Sequence, residues 1–594
     1  MADPIAPPTG ITPAPLHPLE QDHAPTVPSP LNPSTSRAPS KTPGPAPPPI
    51  QREQREKKDS LKKRESTATA SGPNTALGKR KAHAAQAYPS PQRFNVPPPR
   101  PQDFEAPRAD IMVSHEPLPF EVPMAEGEKP RQLYKPIDLA ENKRGYRYQR
   151  AIADPLFPHK QFYRATSPPP HYSHLSFEDA DRNMHFTTDA LLTTNEKGWR
   201  MVRSNVCARE GTLYYEVKMR RAVPPDGPAE AVATGPQPHV RFGFARREAP
   251  LDAPVGFDGY SYGITDLRFE PMHRSRPSKF YYPKPKTKKG SSKPSTFAAP
   301  PPITLAPEDQ DVKEGDVIGL EIQLPSLTLH RKITSGIYNP AVDLNDGFDR
   351  PPSPDPTSPP PDIIRDRIPV PYKGNSYFET LDHVPTKPMD LYADRQTNLA
   401  ALPQTSGSAK DAIHLKAPPN PNHEHPSLRT LPHSAFRVYK NGKLIGTAFE
   451  NLLAFLPPAS APAKGLGARE GVDDGLVGYY PAVSCFAGGV VECNFGDGGS
   501  VIKAAKEEKK GFWCPPPHLT PSVPLTSGAD AARAENSAGT GGFNPGRRCR
   551  PMGERYAEQV AEDIVWDLVD EADFFAADGA FAGEGEGEGT TAAG

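Results

Sequence analysis

The sequence has few cysteines, and none of them is spaced as in a zinc module. Its 594 residues include five, Cys207, Cys485, Cys493, Cys514 and Cys549, without a Cys-x-x-Cys pair. This argues against a structural zinc site and against the dense disulfides of small secreted proteins. We therefore expect free cysteines, no bound metal and a reducing compartment.

Long hydrophobic runs and a net charge are also lacking. No run approaches the roughly 18 apolar residues of a membrane span, and the opening MADPIAPPTG lacks the basic flank and apolar stretch of a signal peptide. The 70 lysines and arginines balance 71 aspartates and glutamates, so the overall charge indicates no partner. We expect an intracellular chain that does not enter a membrane.

Common catalytic motifs are missing as well. There is no glycine-rich phosphate loop followed by lysine, no Gly-x-Ser-x-Gly and no His-Glu-x-x-His. The sequence therefore predicts a protein that is not an enzyme, with no cofactor and no small-molecule substrate.

Proline and glycine are abundant instead. With 80 prolines, 46 glycines and only 35% hydrophobic residues, the chain is expected to hold one ordered region among long disordered segments. The predicted organisation is a disordered, proline-rich and basic region at residues 1–130, a folded domain at 131–498 with insertions near 220–237, 283–302 and 326–432, a linker at 499–552, a helix at 553–577 and a disordered Gly/Glu-rich tail at 578–594.

The N-terminal region carries two basic clusters, one in LKKRES and one in LGKRKAH. We interpret them as a nuclear-import signal, with a solubilising charged linker as the alternative. The residues concerned are Lys62, Lys63, Arg64, Lys79, Arg80 and Lys81.

Short alternating runs in the folded domain predict β-strands. Examples are GTLYYEVKM, HVRFGFARR, GYSYGITD, DVIGLEIQL and FRVYKNGKLIGTAFENL, all bounded by turn-forming residues. Many short strands without intervening helices indicate an all-β antiparallel sandwich. Asn441-Gly442 suits a tight hairpin turn. The insertions are predicted as loops, except residues 368–384, which have enough aromatic residues to fold against the domain.

The two cysteines of YYPAVSCFAGGVVECNFG, residues 479–496, raise the question of a metal or disulfide pair. A three-residue hairpin loop would pair Phe486 with Val490. One face of this hairpin would then be wholly apolar, with Val483, Cys485, Val491, Cys493 and Phe495. We therefore interpret both cysteines as core residues rather than as metal ligands or a disulfide.

These strand segments resemble the SPRY (B30.2) domain, and more narrowly the SPRY subunit of COMPASS-type histone methyltransferase complexes. The narrower resemblance rests on APVGFDGYSYG, GDVIGLEIQLP and YKNG ahead of YYPAVS. It covers residues 145–325 and 433–498 and one C-terminal helix. Because the sequence has no cysteine array for the N-terminal zinc-finger module of animal relatives, it resembles the shorter fungal form, the brefeldin-A-sensitivity subunit. That form is a homologue of the animal absent-small-or-homeotic-discs trithorax protein.

The resemblance implies a nuclear scaffold rather than a catalyst. In this family the SPRY domain binds an acidic segment of the WD-repeat subunit and supports the SET-domain enzyme that methylates lysine four of histone H3. The alternative function is that of a SPRY substrate-recognition adaptor for a ubiquitin ligase. No RING-type Cys/His array or cullin-box-like helix is found to support it.

The resemblance also implies a basic and aromatic pocket for the acidic peptide. The matching residues are Trp199, Arg241, Pro254 and Phe257. A guanidinium group binds carboxylate or phosphate oxygens in pairs, and flat rings hold a peptide backbone. The second arginine of the family is not matched, because Thr265 or Asp266 occupies its place, and Arg268 would substitute only if the strand end shifts. The alternative for each residue is a structural role in the core, a local ion pair or a turn.

The segment at residues 555–579, RYAEQVAEDIVWDLVDEADFFAADG, has apolar residues at three- and four-residue steps and an acidic opposite face. This pattern predicts an amphipathic α-helix. The resemblance implies that the helix docks on the dimeric dumpy-thirty-type subunit, and packing back on the sandwich is the alternative. The candidate contact residues are Ala561, Ile564, Val565, Leu568 and Ala572.

A basic and aromatic segment, RSRPSKFYYPKPKTKKGSSK at residues 274–293, is a weaker candidate for contact with nucleosomal DNA. A solvated loop explains it nearly as well. The candidate contact residues are Lys284, Lys286, Lys288 and Lys289.

Overall fold

A computed structural model describes residues 100–104, 113–117, 130–136, 146–153, 163–166, 170–222, 236–282, 302–349, 363, 368–372, 374–394, 417–462, 473–496, 511–519 and 548–565. All of them lie in one unit of the chain, Ala87–Gly594.

The strands of the described residues are numbered in chain order. They are β1 (Val113–Pro117), β2 (Tyr134–Pro136), β3 (Tyr146–Ala153), β4 (Tyr163–Ala165), β5 (Leu175–Ala180), β6 (Met184–Phe186), β7 (Leu192–Asn195), β8 (Arg200–Ser204), β9 (Gly211–Arg221), β10 (His239–Ala245), β11 (Ser261–Thr265), β12 (Pro271–His273), β13 (Arg276–Pro277), β14 (Val317–Leu324), β15 (Ile368–Tyr372), β16 (Asn375–Leu381), β17 (His383–Val384), β18 (Ala435–Lys440), β19 (Lys443–Glu450), β20 (Ala461–Pro462), β21 (Tyr480–Phe486), β22 (Val490–Asn494) and β23 (Cys549–Pro551).

Helices are few in the same residues. The α-helices are α1 (Leu327–Ser335), α2 (Lys387–Ala393) and α3, residues 554–565. Short 3-10 helices occur at Pro101–Phe104, Pro307–Asp309 and Pro426–Leu428. Among these helices, none has the length and apolar character that crossing a membrane requires.

Two large sheets form the sandwich. The first has the order β1-β2-β6-β7-β22-β9-β14-β18-β19, with β23 added in parallel to β9, and the second has the order β13-β12-β11-β10-β21-β8-β5. Side chains of both sheets, such as Val217 and Leu320 from the first and Phe242 and Val483 from the second, share one buried core. The predicted all-β antiparallel sandwich is confirmed.

Alternation along β10 separates the core from the candidate site. Val240, Phe242 and Phe244 are buried in the core, whereas His239 and Arg241 are half-buried on the outer side of the second sheet. Successive side chains of a strand point to opposite faces, so this placement follows directly from the sequence HVRFGFA. The predicted tight turn at Asn441-Gly442 joins β18 to β19, and φ is positive at both residues. This prediction is confirmed.

The predicted hairpin around Cys485 and Cys493 is wrong in its pairing. β21 pairs with β10 and β8 in the second sheet, and β22 pairs with β9 and β7 in the first, so the Ala487 turn crosses between sheets. The five residues predicted to share an apolar face all lie in the core, because the two strands face each other across the sandwich. Cys485 and Cys493 are therefore buried core residues, as predicted, and both are free thiols.

The insertion at residues 326–432 is only partly a loop, which corrects the prediction. α1 begins after Ser326, whose hydroxyl accepts the Leu329 N–H, and ends at Gly336, where φ is 79°. As predicted for residues 368–384, β16 pairs with β3 to form a small sheet on the domain. α2 buries Met389 and, together with Leu428, joins a second apolar cluster.

The predicted linker at residues 499–552 also contains ordered structure. The buried Glu216 of β9 accepts the backbone N–H groups of Trp513 at 2.6 Å and Cys514 at 2.9 Å. Burial raises the pKa of Glu216, with these hydrogen bonds acting in the opposite direction. The segment at residues 511–519 is thereby held against the outer side of the first sheet, next to β23. The other predicted domain boundaries stay predictions.

Candidate functional site

Arg241 and Trp199 lie together on the outer side of the second sheet. The guanidinium carbon of Arg241 is 5.1 Å from the centre of the Trp199 ring, a cation-π distance. Among the described residues, Arg241 has no ion-pair or hydrogen-bond partner for its side chain. Burial lowers the pKa of Arg241, and the charge of Asp266 acts in the opposite direction. The structure thus holds a half-buried cation that is not hydrogen-bonded to any carboxylate among the described residues.

Two further rings complete an aromatic surface beside Arg241. The Trp199 ring stacks on His239, with centroids 6.5 Å apart, and lies 5.3 Å from the Phe486 ring. His239 and Phe486 are directly paired residues of β10 and β21. We call Trp199, Arg241, His239 and Phe486 the Arg241 cluster. Trp199 is half-buried and outside the sandwich core, so a plain core role does not describe it.

The loop at residues 253–257 runs along one side of this cluster. The hydroxyl of Ser484, the β21 partner of Arg241, accepts the Val255 N–H at 3.1 Å. The loop lies so close to β11 that a Cβ atom on Gly263 would be 2.6 Å from the Val255 carbonyl oxygen. Pro254 is buried in this loop, whereas 51% of Phe257 is exposed. The loop thus presents the Phe257 ring at the surface.

The loop at residues 253–257 is hydrogen-bonded to the β12–β13 turn, and this turn contacts helix α2 of the insertion. Ser275 donates its N–H to the Gly256 carbonyl at 2.9 Å and its hydroxyl to the Phe257 carbonyl at 2.9 Å. Beside it, the Arg274 guanidinium lies 3.7 Å from the centre of the Tyr392 ring of α2. The ordered part of the insertion therefore helps to fix the shape of the candidate site.

Arg268 is not joined to the Arg241 cluster by any contact among the described residues. It is exposed, has a φ of 63° and donates its backbone N–H to Asp311. Thr265 stands directly opposite Arg241 in the strand register, and its hydroxyl donates to the Leu267 carbonyl. Arg268 as a pocket residue remains a prediction.

Sequence reasoning missed His239 and Phe486. The signal was available for His239, because it stands two residues before Arg241 and so on the same side of β10. The sequence predicts Phe486 in a hairpin, whereas its position beside Trp199 depends on the β10–β21 pairing, which joins residues far apart in the sequence.

Asp258, next to Phe257, gives a prediction on stability. Burial raises the pKa of its carboxyl group from 3.8 to about 6, against hydrogen bonds from Tyr260 and Ser261 that act in the opposite direction. A carboxyl pKa that is higher in the folded state makes the free energy of unfolding fall as pH rises through about 4 to 6, by up to about 3 kcal/mol. We expect Asp258→Asn to remove this fall and to raise the melting temperature at pH above about 7.

The matched control is Asp252→Asn, which changes an exposed aspartate of the same region. Thermal unfolding should show the same pH dependence for this variant as for the unmodified protein. An unchanged pH dependence in Asp258→Asn would contradict the prediction.

The C-terminal helix α3 is anchored at its first turn. Met552, just before it, is fully buried in the core, Tyr556 packs against the core, and the Gln559 side chain donates to the Asn205 carbonyl at 3.1 Å. Arg555 pairs with Glu562 on the same helix.

The remainder of α3 exposes its apolar stripe. Exposed fractions are 41% for Ile564 and 54% for Val565, and Ala561 is exposed as well. Within the described residues, the helix therefore does not pack this stripe on the sandwich. Leu568 and Ala572 lie outside the described residues, as do the predicted import signal at residues 62–64 and 79–81 and the lysines of the segment at 284–289.

One group of possible metal ligands occurs in the described residues, Glu321, His518 and Cys549. The Glu321 carboxylate already accepts hydrogen bonds from Arg437, from Tyr439 at 2.7 Å and from His518 at 2.8 Å. These donors satisfy the carboxylate, and the Arg437 charge opposes a cation at this place. The group fits a local ion-pair network that holds the segment at residues 511–519.

Comparison with known proteins reveals similar chains over nearly the whole sequence. The chain is 42% identical to COMPASS component cclA of Colletotrichum higginsianum, over 96% of this chain and 91% of the relative. It is 38% identical to COMPASS component cclA of Aspergillus fumigatus, over 88% and 73%. It is 30% identical to the Set1 complex component ash2 of Schizosaccharomyces pombe, over 82% and 52%.

The comparisons with family models and with solved structures give less information about the family. No protein-family model matches the sequence. Among solved structures, a human SPRY domain is similar at 10% identity and a TM-score of 0.20, over 53% of this chain and 94% of that chain. A TM-score this low supports no conclusion by itself.

Proposed function

The chain belongs to the cclA family of COMPASS components, and we propose from this premise that it is a non-catalytic scaffold subunit of a COMPASS-type histone H3 lysine-4 methyltransferase complex. We expect it in the nucleus, where the chromatin substrate of such a complex lies. Its partners would be the WD-repeat subunit, the dumpy-thirty-type dimer and the SET-domain methyltransferase.

We propose that the Arg241 cluster binds the acidic segment of the WD-repeat subunit. The observation that carries this proposal is the Arg241 guanidinium, held over Trp199 without an anionic partner among the described residues. A half-buried cation costs desolvation free energy, which a peptide carboxylate or phosphate would recover through charge-assisted hydrogen bonds. The exposed Phe257 ring on the adjoining loop offers an apolar surface for the peptide backbone.

We propose that α3 binds the dumpy-thirty-type dimer through its apolar stripe. Ile564 and Val565 are exposed, while the first turn of the helix is fixed to the sandwich. An amphipathic helix held by one end and exposing its apolar side suits docking into a hydrophobic groove.

Affinity purification of the full-length tagged protein from nuclear extract tests the scaffold function. We expect SET-domain, WD-repeat and dumpy-thirty-type subunits to copurify in constant ratio through a sizing column. The matched control is the same protein with Arg241→Ala and Ile564→Glu combined, which should lose WD-repeat and dumpy-thirty-type subunits. Recovery of the protein alone, or activity of the isolated protein on histone H3, would contradict the proposal.

A further inference from the structure

A buried carboxylate on the outer side of the first sheet holds the segment at residues 511–519, which we call the clamp segment. Glu216 of β9 is fully buried, and its Oε2 accepts the Trp513 N–H at 2.6 Å. Its Oε1 accepts the Cys514 N–H at 2.9 Å and the Tyr214 hydroxyl at 3.1 Å. Because a carboxylate has two acceptor oxygens, Glu216 binds two successive backbone N–H groups and fixes both the position and the direction of the clamp segment.

The clamp segment also fits the sheet by shape. A Cβ atom on Gly496 would overlap the Phe512 ring and lie 3.0 Å from Cβ of Pro551, so the clamp segment and β23 both pack closely on this glycine. At the other end of the clamp segment, Nε2 of His518 lies 2.8 Å from Oε2 of Glu321, which is buried in β14. The clamp segment is therefore attached to the sheet near both of its ends.

The clamp segment covers β23, the strand that leads into α3. β23 is only three residues long and pairs with β9, with Cys549 opposite Thr212. Cys549 also forms a parallel bridge with Leu519 of the clamp segment. Its side chain is buried in one apolar cluster with Tyr214 of β9, and Phe512 and Leu519 of the clamp segment pack against this cluster. β23 is thus held by the sheet and by the clamp segment together.

The position of β23 sets the direction in which α3 leaves the sandwich. Met552 donates its N–H to the Tyr214 carbonyl at 2.8 Å, and Gly553 donates its N–H to the Phe495 carbonyl at 2.8 Å. α3 begins at the next residue. Tyr214 thus contacts the clamp segment through its ring and hydroxyl, and the entry to α3 through its carbonyl. A shift of the clamp segment would therefore be passed on to α3 through β23.

We propose that the clamp segment holds β23 on β9, and that Glu216, by fixing the clamp segment, is a positioning residue for α3. This rests on the proposed binding of the dumpy-thirty-type dimer by α3. A helix that is already held in its docking direction loses less conformational freedom on binding, so the clamp segment raises the affinity for the dimer. The coupling is reciprocal, because binding of the dimer must then strengthen the attachment of the clamp segment.

Calorimetric titration of full-length variants with the purified dimer tests this role. Glu216→Gln keeps the shape of the side chain but turns an NH2 donor toward one of the two N–H groups. We expect the dissociation constant for the dimer to rise about fivefold, at the lower end of common coupling energies. Affinity for the acidic peptide should be unchanged, because the Arg241 cluster lies on the second sheet. The matched control is Pro517→Ala at an exposed position of the clamp segment, which should leave the dimer affinity within about twofold.

Phe512→Ala is the second variant, since it loosens the clamp segment and leaves the sequence of β9 unchanged. It should show the same loss of dimer affinity as Glu216→Gln, and it decides the question if Glu216→Gln does not fold. Dimer affinity equal to that of the unmodified protein in the folded variants would overturn the role of the clamp segment. Absence of dimer binding by the unmodified protein would instead overturn the proposed function of α3.

Hydrogen exchange provides a readout that a merely structural role would not change. Saturation of the unmodified protein with the dimer should slow the exchange of the clamp-segment amides about fivefold, since linkage makes the two effects equal. The segment lies on the sheet and not on the proposed docking stripe of α3, so direct cover by the dimer is not expected to produce this slowing. Unchanged exchange of these amides in the saturated complex would contradict the coupling.

Discussion

Replacing Arg241 with alanine is expected to weaken binding of the acidic WD-repeat peptide at least tenfold, a loss of about 1.4 kcal/mol or more. The substitution removes a half-buried guanidinium for which the described residues provide no hydrogen-bonded carboxylate, together with its contact to Trp199. Charge-assisted hydrogen bonds contribute more than neutral ones, and a partly buried site screens them less than open water does. The measurement is the dissociation constant by anisotropy or calorimetry.

Two further variants separate the causes of that loss. Arg241→Lys keeps the charge but loses the paired N–H donors, so we expect an intermediate affinity. Arg182→Ala changes an exposed arginine that is not part of the cluster and should leave affinity within about twofold, since exposed charges contribute little. Equal affinities for Arg241→Ala and the unmodified protein, or a larger loss in Arg182→Ala, would exclude Arg241 as the main contact.

Much of the sandwich could be predicted because strand alternation is a local property. The five apolar residues around Cys485 and Cys493 lie in the core as predicted, but they come from two facing sheets and not from one face of a hairpin. The same alternation arises from a hairpin within one sheet and from two strands facing each other across a sandwich. Local pattern cannot separate these cases, because the difference lies in which distant strands, here β10 and β9, provide the hydrogen bonds.

The insertion at residues 326–432 contains more ordered structure than the sequence predicts, for a similar reason. The composition of residues 326–432 is rich in proline, which argues against a separate core. In the described part of this segment, Met389 and Tyr392 pack on the loop that follows β10 and on the turn that follows β12. Because the apolar partners of this segment belong to the main domain, the composition of the segment alone does not indicate that it is ordered.

The resemblance predicts individual residues of the candidate site, but the chemistry of the site depends on how their side chains are arranged together. The resemblance identified Arg241 and Trp199, and the structure brings their side chains into contact. It does not identify His239, which stacks on Trp199 and is hydrogen-bonded to Asp266, the residue that follows β11. Pairing across strands therefore brings a side chain to this surface that a motif comparison leaves out.

The second large effect is expected from deleting the C-terminal helix, and the structure indicates at which residue the deletion should begin. Deleting residues 555–577 would also remove Arg555, which is buried, and Tyr556, which packs against the core, so a deletion of residues 563–577, which keeps Glu562 as the partner of Arg555, is the cleaner variant. We expect this deletion to abolish capture of the dumpy-thirty-type dimer in a pull-down with purified subunits, and to leave the melting temperature and the acidic-peptide affinity unchanged.

Point substitutions in α3 test the apolar stripe itself. Ile564→Glu and Val565→Glu should each weaken dimer binding roughly 100-fold, because an unpaired carboxylate in an apolar groove costs several kcal/mol. Val560, one helical turn before Ile564, lies only about 40° from it around the helix and is 39% exposed, so Val560→Glu should weaken dimer binding as well. The control is the affinity of the same variants for the acidic peptide, which should be unchanged. Undiminished capture of the dimer by the deletion variant, or by both Ile564→Glu and Val565→Glu, would show that this stripe is not the docking surface.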